Sequence, residues 1–383
     1  MTTASALVPL WNRAAEWDRR LGMVQQARSF LYLSTYYVEY DAYGAAMLSA
    51  LIEAQRRGVA VNLLIDGFGQ RLGGVLMSRA DRASLAALLH DLERAGGVVT
   101  IYRPRRYVQQ WLGGGQHVKI QVSDAGEALF GSSNLSHSSF EGWNEYSVAL
   151  RGPVVRMLLE SYREIGGRVD ESHLRQLGDG GHDAAADLAL EYWLCNPNSG
   201  QGVFGPLGWH GQNVVTDRLA ERIAQARRSI CLTSFYFKPI EPLVVALVAA
   251  ARRGVQVEVH HSHREALPAT DLAWIAAAAH YDRLLAAGVH VYENRHGEHS
   301  KIVLVDGGWV ACGSYNFEHA AHDRLAEAML VSRDARATQP AADIFAELRQ
   351  HPDNVLVTPE VLASLPAGLQ TRRRLLSRFK RWM

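Results

Sequence analysis

Two stretches decide how this chain folds: HVKIQVSDAGEALFGSSNLSHSSFEGWNEYS, running from His117 to Ser147, and HSKIVLVDGGWVACGSYNFEHAAHDRLAEAM, running from His299 to Met329. Laid over one another, they carry Lys119 and Lys301 two places after the His, then Asp124 and Asp306, Ser132 and Ser314, Asn134 and Asn316, and Glu145 and Glu327 at matching offsets. Six residue types in the same register twice over are hard to obtain by chance, so the chain reads as one unit written twice. On a strand, residues i and i+2 share a face. Each His and Lys should therefore emerge side by side, while Val118 and Ile120 turn to the core.

The repeat extends outward from these motifs. ARSFLYLSTYY (Ala27–Tyr37) returns as RRSICLTSFYF (Arg227–Phe237), each between helical stretches, and the helix that follows ends in Arg-Arg-Gly-Val both times, at Arg56–Val59 and Arg252–Val255. The Gly suits a helix C-cap, and apolar strands follow it, VAVNLLID and VQVEVHHS. Helices alternating with strands predict an α/β fold of two pseudo-symmetric halves, each a mixed, largely parallel sheet flanked by helices, with one active site at their interface. The expected division is 1–182 and 183–360, joined in the Gly- and Asp-rich stretch Leu177–Asp187, with a basic tail over 361–383.

Composition narrows the function classes. Hydrophobic residues make up 48% and charged residues 21%, the profile of a folded globular protein. Forty Lys and Arg against 39 Asp and Glu leave a net charge of +1, which argues against a protein whose main task is gripping nucleic acid. Cys195, Cys231 and Cys312 lie far apart, which suits a reducing compartment and no structural zinc. The first residues show no basic segment leading into an apolar one, and no apolar run approaches the ~20 residues that span a bilayer. The expectation is a cytoplasmic protein that does not cross the membrane.

The doubled set suits displacement at phosphorus. One neutral imidazole attacks to give a covalent phosphohistidine, and the other donates a proton to the departing alkoxide, then takes one from the incoming alcohol or water. The lysines and the amides of Asn134 and Asn316 supply positive charge and donors to the phosphoryl oxygens, so no metal or other cofactor is required. The strand ending at Gly-Ser-x-Asn should bring its hydroxyl to the same mouth. Glu145 and Glu327 are candidates to bond Nδ1 of a histidine and leave Nε2 reactive. Asp124 and Asp306, with Ser132 and Ser314, read as supporting residues. His137, His210, His261, His319 and His322 lack a doubled partner set, and a zinc site at His260, His261 and His263 lacks cysteine or carboxylate partners at ligand spacing.

This H-x-K-x4-D pattern with trailing G-S-x-N and Glu resembles the phospholipase D superfamily, duplicated within one chain from about Gln26 to Glu327. The resemblance implies a metal-independent ping-pong mechanism, with His117 the nucleophile and His299 the general acid/base. Within the superfamily the chain looks most like bacterial cardiolipin synthases and related phosphatidyltransferases, on the strand end Ile65–Gly69 and the stretch Leu150–Val155. It departs from them at Gly131-Ser132-Ser133-Asn134 and at Ala320-Ala321 and Leu325-Ala326, which leaves water as an alternative acceptor and a phospholipase D-type hydrolase as the alternative reading, ahead of a metal-independent nuclease. The expected substrate is a phospholipid such as phosphatidylglycerol.

The tail TRRRLLSRFKRWM sets Arg372, Arg373, Arg374, Arg378, Lys380 and Arg381 beside Leu375, Leu376, Phe379 and Trp382. On a helix the apolar four form one stripe, so these basic residues and Trp382 are expected to contact an anionic membrane from its cytoplasmic side. Tyr36, Tyr37, Tyr40 and Tyr43 could line an apolar entrance, although aromatic residues there are more often ordinary packing.

Overall fold

The computed structural model describes residues 1–178, 186–202, 204–205, 212–267 and 271–376. Its strands are β1 (Thr2–Ala4), β2 (Ala6–Leu10), β3 (Phe30–Thr35), β4 (Ala60–Asp66), β5 (Val98–Tyr102), β6 (Gly115–Gln116), β7 (Lys119–Ser123), β8 (Glu127–Gly131), β9 (Ser147–Arg151), β10 (Leu188–Cys195), β11 (Ser229–Ser234), β12 (Gln256–Ser262), β13 (His290–Asn294), β14 (Ile302–Val305), β15 (Trp309–Gly313), β16 (Leu325–Ser332) and β17 (Asn354–Leu356). They form two mixed sheets. The first runs β2-β9-β8-β7-β3-β4-β5, the second β1-β10-β16-β15-β14-β11-β12-β13-β17, with β6 attached to β16.

Each sheet repeats the other from β7 and β14 outward. Strand β3 pairs parallel with β4 and β4 with β5, as β11 does with β12 and β12 with β13. Helices Ala42–Arg56 and Arg79–Arg94 make the first pair of crossovers; Glu241–Arg252 makes the corresponding one after β11. The mixed character matches expectation, but the sheets are not largely parallel. Strands β7, β8 and β9 pair antiparallel with their neighbours, as do β14 and β15, and as β16 does with β15 and β10. The reason is loop length: three residues separate β7 from β8, enough for a hairpin and far too few for a crossover.

The sheets pack face to face. One buried apolar cluster takes Phe30, Val118, Ile120 and Phe130 from the first and Ile302, Leu304, Cys312 and Leu330 from the second. Two further clusters lie on the outer faces, under the helices of each half. The halves also trade backbone. Strand β1 pairs with β10 in the second sheet while β2, one residue on, pairs with β9 in the first. A division at residue 182 therefore places β1 apart from its sheet, and residues 179–185, at the centre of the expected join, lie outside the described residues. No described helix is long and apolar enough to cross a membrane.

Candidate active site

The two His-x-Lys motifs sit where each sheet lets go of its own ladder. His117 lies in the gap between β6 and β7, and both His299 and Lys301 precede β14, so the histidines stand beyond the regular strand on which alternation alone would put them. The backbone there has been recruited by the other half. His117 N–H donates to the carbonyl of Ala326 (2.9 Å), and His299 N–H to that of Asn144 (2.8 Å). The residue before each His braces the departure: the Gln116 side chain accepts Val118 N–H (3.1 Å), and the Glu298 carboxylate accepts Ser300 N–H (3.1 Å).

Ala326 and Asn144 directly precede the two glutamates, so the same crossing delivers each carboxylate to the opposite imidazole. His299 Nδ1 lies 2.8 Å from Glu145 Oε2. His117 Nδ1 lies 3.0 Å from Glu327 Oε1 and 3.2 Å from the Ser314 carbonyl. The Ser314 carbonyl and the Glu145 carboxylate can only accept, so Nδ1 carries the proton in both rings and Nε2 is left with its lone pair. Both rings are 5% exposed, enough for one edge to face the site. Each lysine bonds back to the carbonyl of its own histidine, Lys119 Nζ at 2.7 Å and Lys301 Nζ likewise.

Charge is crowded here. Burial lowers the basicity of His117 well below the usual histidine range, and Lys119 and Lys301 lower it further. His299 drops to about 3 because burial outweighs the opposing pull of Glu145. Lys301 falls to about 8 and Lys119 well below its usual value, chiefly through burial, with Lys301 adding repulsion at Lys119. The carboxyls diverge. Burial pushes Glu327 up to about 8, only partly countered by Lys119, whereas at Glu145 the same penalty is overcome by His299 and Lys301, leaving it at about 2. Such a site is short of negative charge, and an arriving phosphodiester would raise the basicity of every cation around it.

The amides lie beside these groups. Asn134 Oδ1 accepts Tyr36 N–H (3.2 Å) and Asn316 Oδ1 accepts Phe235 N–H (3.3 Å), which turns each Nδ2 away from the backbone. Asn134 Nδ2 is buried with no protein partner, while Asn316 Nδ2 reaches Glu318 (3.3 Å). The serine hydroxyls serve the backbone and the glutamates behind the imidazoles. Ser132 Oγ accepts Tyr146 N–H and Ser314 Oγ accepts Ala328 N–H, both at 3.0 Å, because the turn after β8 and β15 needs its neighbouring strand's amide capped; Ser314 also donates to Glu327. Asp124 and Asp306 lie farther off, accepting the amides of Arg28 and Ser29, and of Arg227, Arg228 and Ser229.

Several residues at the site lie outside the repeated motifs. Tyr36 stands edge-on to His117 at 4.6 Å, and Trp143 stacks on His299 at 5.0 Å with Phe235 edge-on at 4.7 Å. Asp66 accepts Gln116 N–H (2.8 Å), and Lys238 pairs with Glu318 (3.1 Å). Differences between the repeats are the signal that marks the polar ones, since Asp66 aligns with Ser262, Gln116 with Glu298 and Ser136 with Glu318. Of the unrepeated histidines, His261 bonds Tyr281 (2.6 Å) and His260 stacks on Tyr292. Tyr43 packs on Trp17 and Phe140. In the tail, Arg372 lies 3.7 Å from Asp271 and Arg373 2.6 Å from Asp282, both on the chain's own surface. Arg378, Lys380, Arg381 and Trp382, like His210, lie outside the described residues, as does the side chain of Arg374.

Comparison with known proteins places the chain in a family and matches its fold. The family model described as "Cardiolipin synthase, PLD-like domain" matches residues 21–165 and 219–349. Cardiolipin synthase B of Salmonella typhi is 27% identical over 333 residues, covering 84% of this chain and 74% of that protein. Cardiolipin synthase of Geobacillus kaustophilus is 26% identical over 337 residues, 83% of this chain and 61% of its own length. Among solved structures, phosphatidylserine synthase of Haemophilus influenzae shares the fold with a TM-score of 0.73 at 15% identity, over 99% of this chain and 94% of that one.

Proposed function

This chain belongs to the cardiolipin synthase, phospholipase D-like domain family, and on that premise we propose that it is a phosphatidyltransferase that joins two phospholipids through a phosphohistidine, acting on phosphatidylglycerol at an anionic membrane surface. The observation that supports this best is the exchange of glutamates between the halves, which holds two imidazoles with free Nε2 atoms beside two buried lysines.

In the proposed cycle His117 Nε2 attacks the phosphorus of phosphatidylglycerol. The bond to glycerol breaks, and the leaving alkoxide takes a proton from His299, which gains that proton as the anionic phosphate settles beside it. Glu145 holds the resulting imidazolium by its Nδ1 proton. Lys119, Lys301 and the amides of Asn134 and Asn316 spread over the phosphoryl oxygens. Glycerol leaves. The hydroxyl of a second phosphatidylglycerol then gives its proton to His299 and attacks phosphorus, the phosphorus–nitrogen bond breaks, and cardiolipin is released with His117 restored. Asp124 and Asp306 keep each repeat's first strand in place, and Ser132 and Ser314 keep the turns.

The test is incubation with phosphatidylglycerol vesicles in the presence of a chelator. Cardiolipin and glycerol in equal amounts are expected. Phosphatidic acid as the sole lipid product would make the chain a hydrolase, and nicking of plasmid DNA without lipid turnover would overturn the lipid reading altogether.

A further inference from the structure

Helix Gly67–Leu76 and the short helix Tyr107–Trp111 face each other across a cleft of about 250 Å³ lined by Phe68, Arg71, Arg103, Tyr107 and Trp111. Their outward sides are apolar and bare: Val75 is 71% exposed, Tyr107 78% and Trp111 75%, with Leu72, Leu76 and Val108 each at least half exposed. Six large apolar side chains left in water on two adjacent elements cost free energy without return unless something covers them. No other part of the described surface gathers as many.

Charge says what covers them. Arg71, Arg103, Arg105 and Arg106 rim the patch, all exposed, and neither helix nor the stretch from Arg103 to Gln116 holds an acidic residue. Elsewhere on the surface many arginines are matched, as Arg163 is by Glu171 and Arg373 by Asp282. An unmatched basic rim around apolar and aromatic side chains is complementary to a layer that is anionic at its surface and apolar beneath, the make-up of a bilayer with acidic phospholipids.

The patch also adjoins the chemistry. Gly69 and Gly73 let helix Gly67–Leu76 press onto Tyr36 and Tyr37: a Cβ on Gly69 would lie 2.4 Å from the Tyr36 carbonyl, and one on Gly73 3.0 Å from the Tyr37 ring. Tyr36 in turn flanks His117. Asp66 caps the same helix through Phe68 and Gly69 N–H while accepting Gln116 N–H, one residue before His117.

We propose that this surface, rather than the basic tail, is the principal membrane-docking face: its apolar side chains enter the interface of an anionic bilayer and its arginines meet the lipid phosphates, bringing lipid to the mouth beside His117. The inference rests on the phospholipid reading only for the purpose of docking, since attachment can be read without turnover.

The experiment is co-sedimentation with vesicles of phosphatidylglycerol and phosphatidylcholine, and with phosphatidylcholine alone. The double variant Val75→Asp/Trp111→Asp should bind mixed vesicles at least about tenfold more weakly, and Arg103→Gln/Arg105→Gln/Arg106→Gln should lose roughly tenfold or more. Both should keep the wild-type melting curve and wild-type turnover of a short-chain, monomeric phosphatidylglycerol. Arg378→Gln/Lys380→Gln/Arg381→Gln should lose less than either. His117→Ala should sediment like the wild type, which separates docking from chemistry. The proposal is overturned by patch variants that sediment as the wild type does, by equal binding to uncharged vesicles, or by a wild-type dimer that the patch variants split, which would make the face an interface between copies.

Discussion

The two halves of the site share a scaffold and differ in charge. Around His117 the bracing residues are Asp66 and Gln116; around His299 they are Ser262 and Glu298, so the acidic partner has moved from the end of β4 to the residue before the histidine. Beyond Asn134 stands Ser136, but beyond Asn316 stands Glu318, paired with Lys238 where the first half has Val38. His117 gives its Nδ1 proton to the Ser314 carbonyl beside a carboxyl that burial drives toward neutrality, whereas His299 faces a carboxylate held ionised. Duplication thus preserved what the backbone needs and released what the chemistry could divide. An imidazole backed by a firm negative charge is the better place to keep a proton during turnover.

The largest effect separates the histidines themselves. His117→Ala and His299→Ala should each cut turnover by about 10³-fold or more, and whatever phosphorylated protein still forms with lipid and survives a quench in alkali should be found with His299→Ala and not with His117→Ala. A covalent adduct on His117→Ala instead would reverse the assignment.

Next come the glutamates. Glu145→Gln removes an ionised partner and should lower turnover by about 10²-fold. Glu327→Gln resembles the protonated acid already present below pH 8 and should lose less than about tenfold there. Because burial raises Glu327 to about 8, the gap between Glu327→Gln and the wild type should widen as pH climbs past that value. Equal losses at pH 7 would mean that the two pairs do not differ in charge.

A smaller, graded effect concerns the lysines. Lys301 sits at about 8, so it loses its charge as pH rises through that value. Binding of vanadate, read by calorimetry, should weaken above pH 8 by up to about tenfold per pH unit and should take up protons. Proton release on binding would contradict the charge arrangement.

The smallest expected effect tests the shared scaffold. Asp124→Ala and Asp306→Ala should each cost about 1–3 kcal/mol of stability, because each orphans backbone amides at the start of a repeat. Asp306 is held below the usual aspartate range: the amides of Arg228, Ser229 and Arg227 overcome the opposing effect of burial. Its contribution is therefore present above the unfolded pKa and fades as pH falls through the folded one. Chemical denaturation at pH 7 and pH 3 measures both.

Much of this architecture is legible in the order of residues. The paired motifs expose the duplication, and i, i+2 alternation puts Val118 and Ile120 in the core where they lie. Helix-strand alternation describes β3 to β5 and β11 to β13 but overstates parallel pairing, because it takes no account of the hairpins on either side of β8 and β15. The repeat pattern points Ser132 and Ser314 to the mouth, yet their hydroxyls cap neighbouring strands, a demand that arises only once those strands are adjacent. Tyr36, Trp143 and Phe235 carry no motif signal that sets them apart from ordinary packing residues.

By itself the sequence determined the chemistry present and its twofold supply: two imidazoles, two amines, two amides and two carboxyls, each at a spacing its own half can hold. Only the tertiary structure decided which carboxyl serves which imidazole. That pairing depends on Ala326 and Asn144 accepting amides from the opposite half, contacts between residues far apart along the chain whose geometry no local pattern encodes. Burial did the rest, since the same Glu becomes an ion or a neutral acid according to the cations that packing leaves beside it.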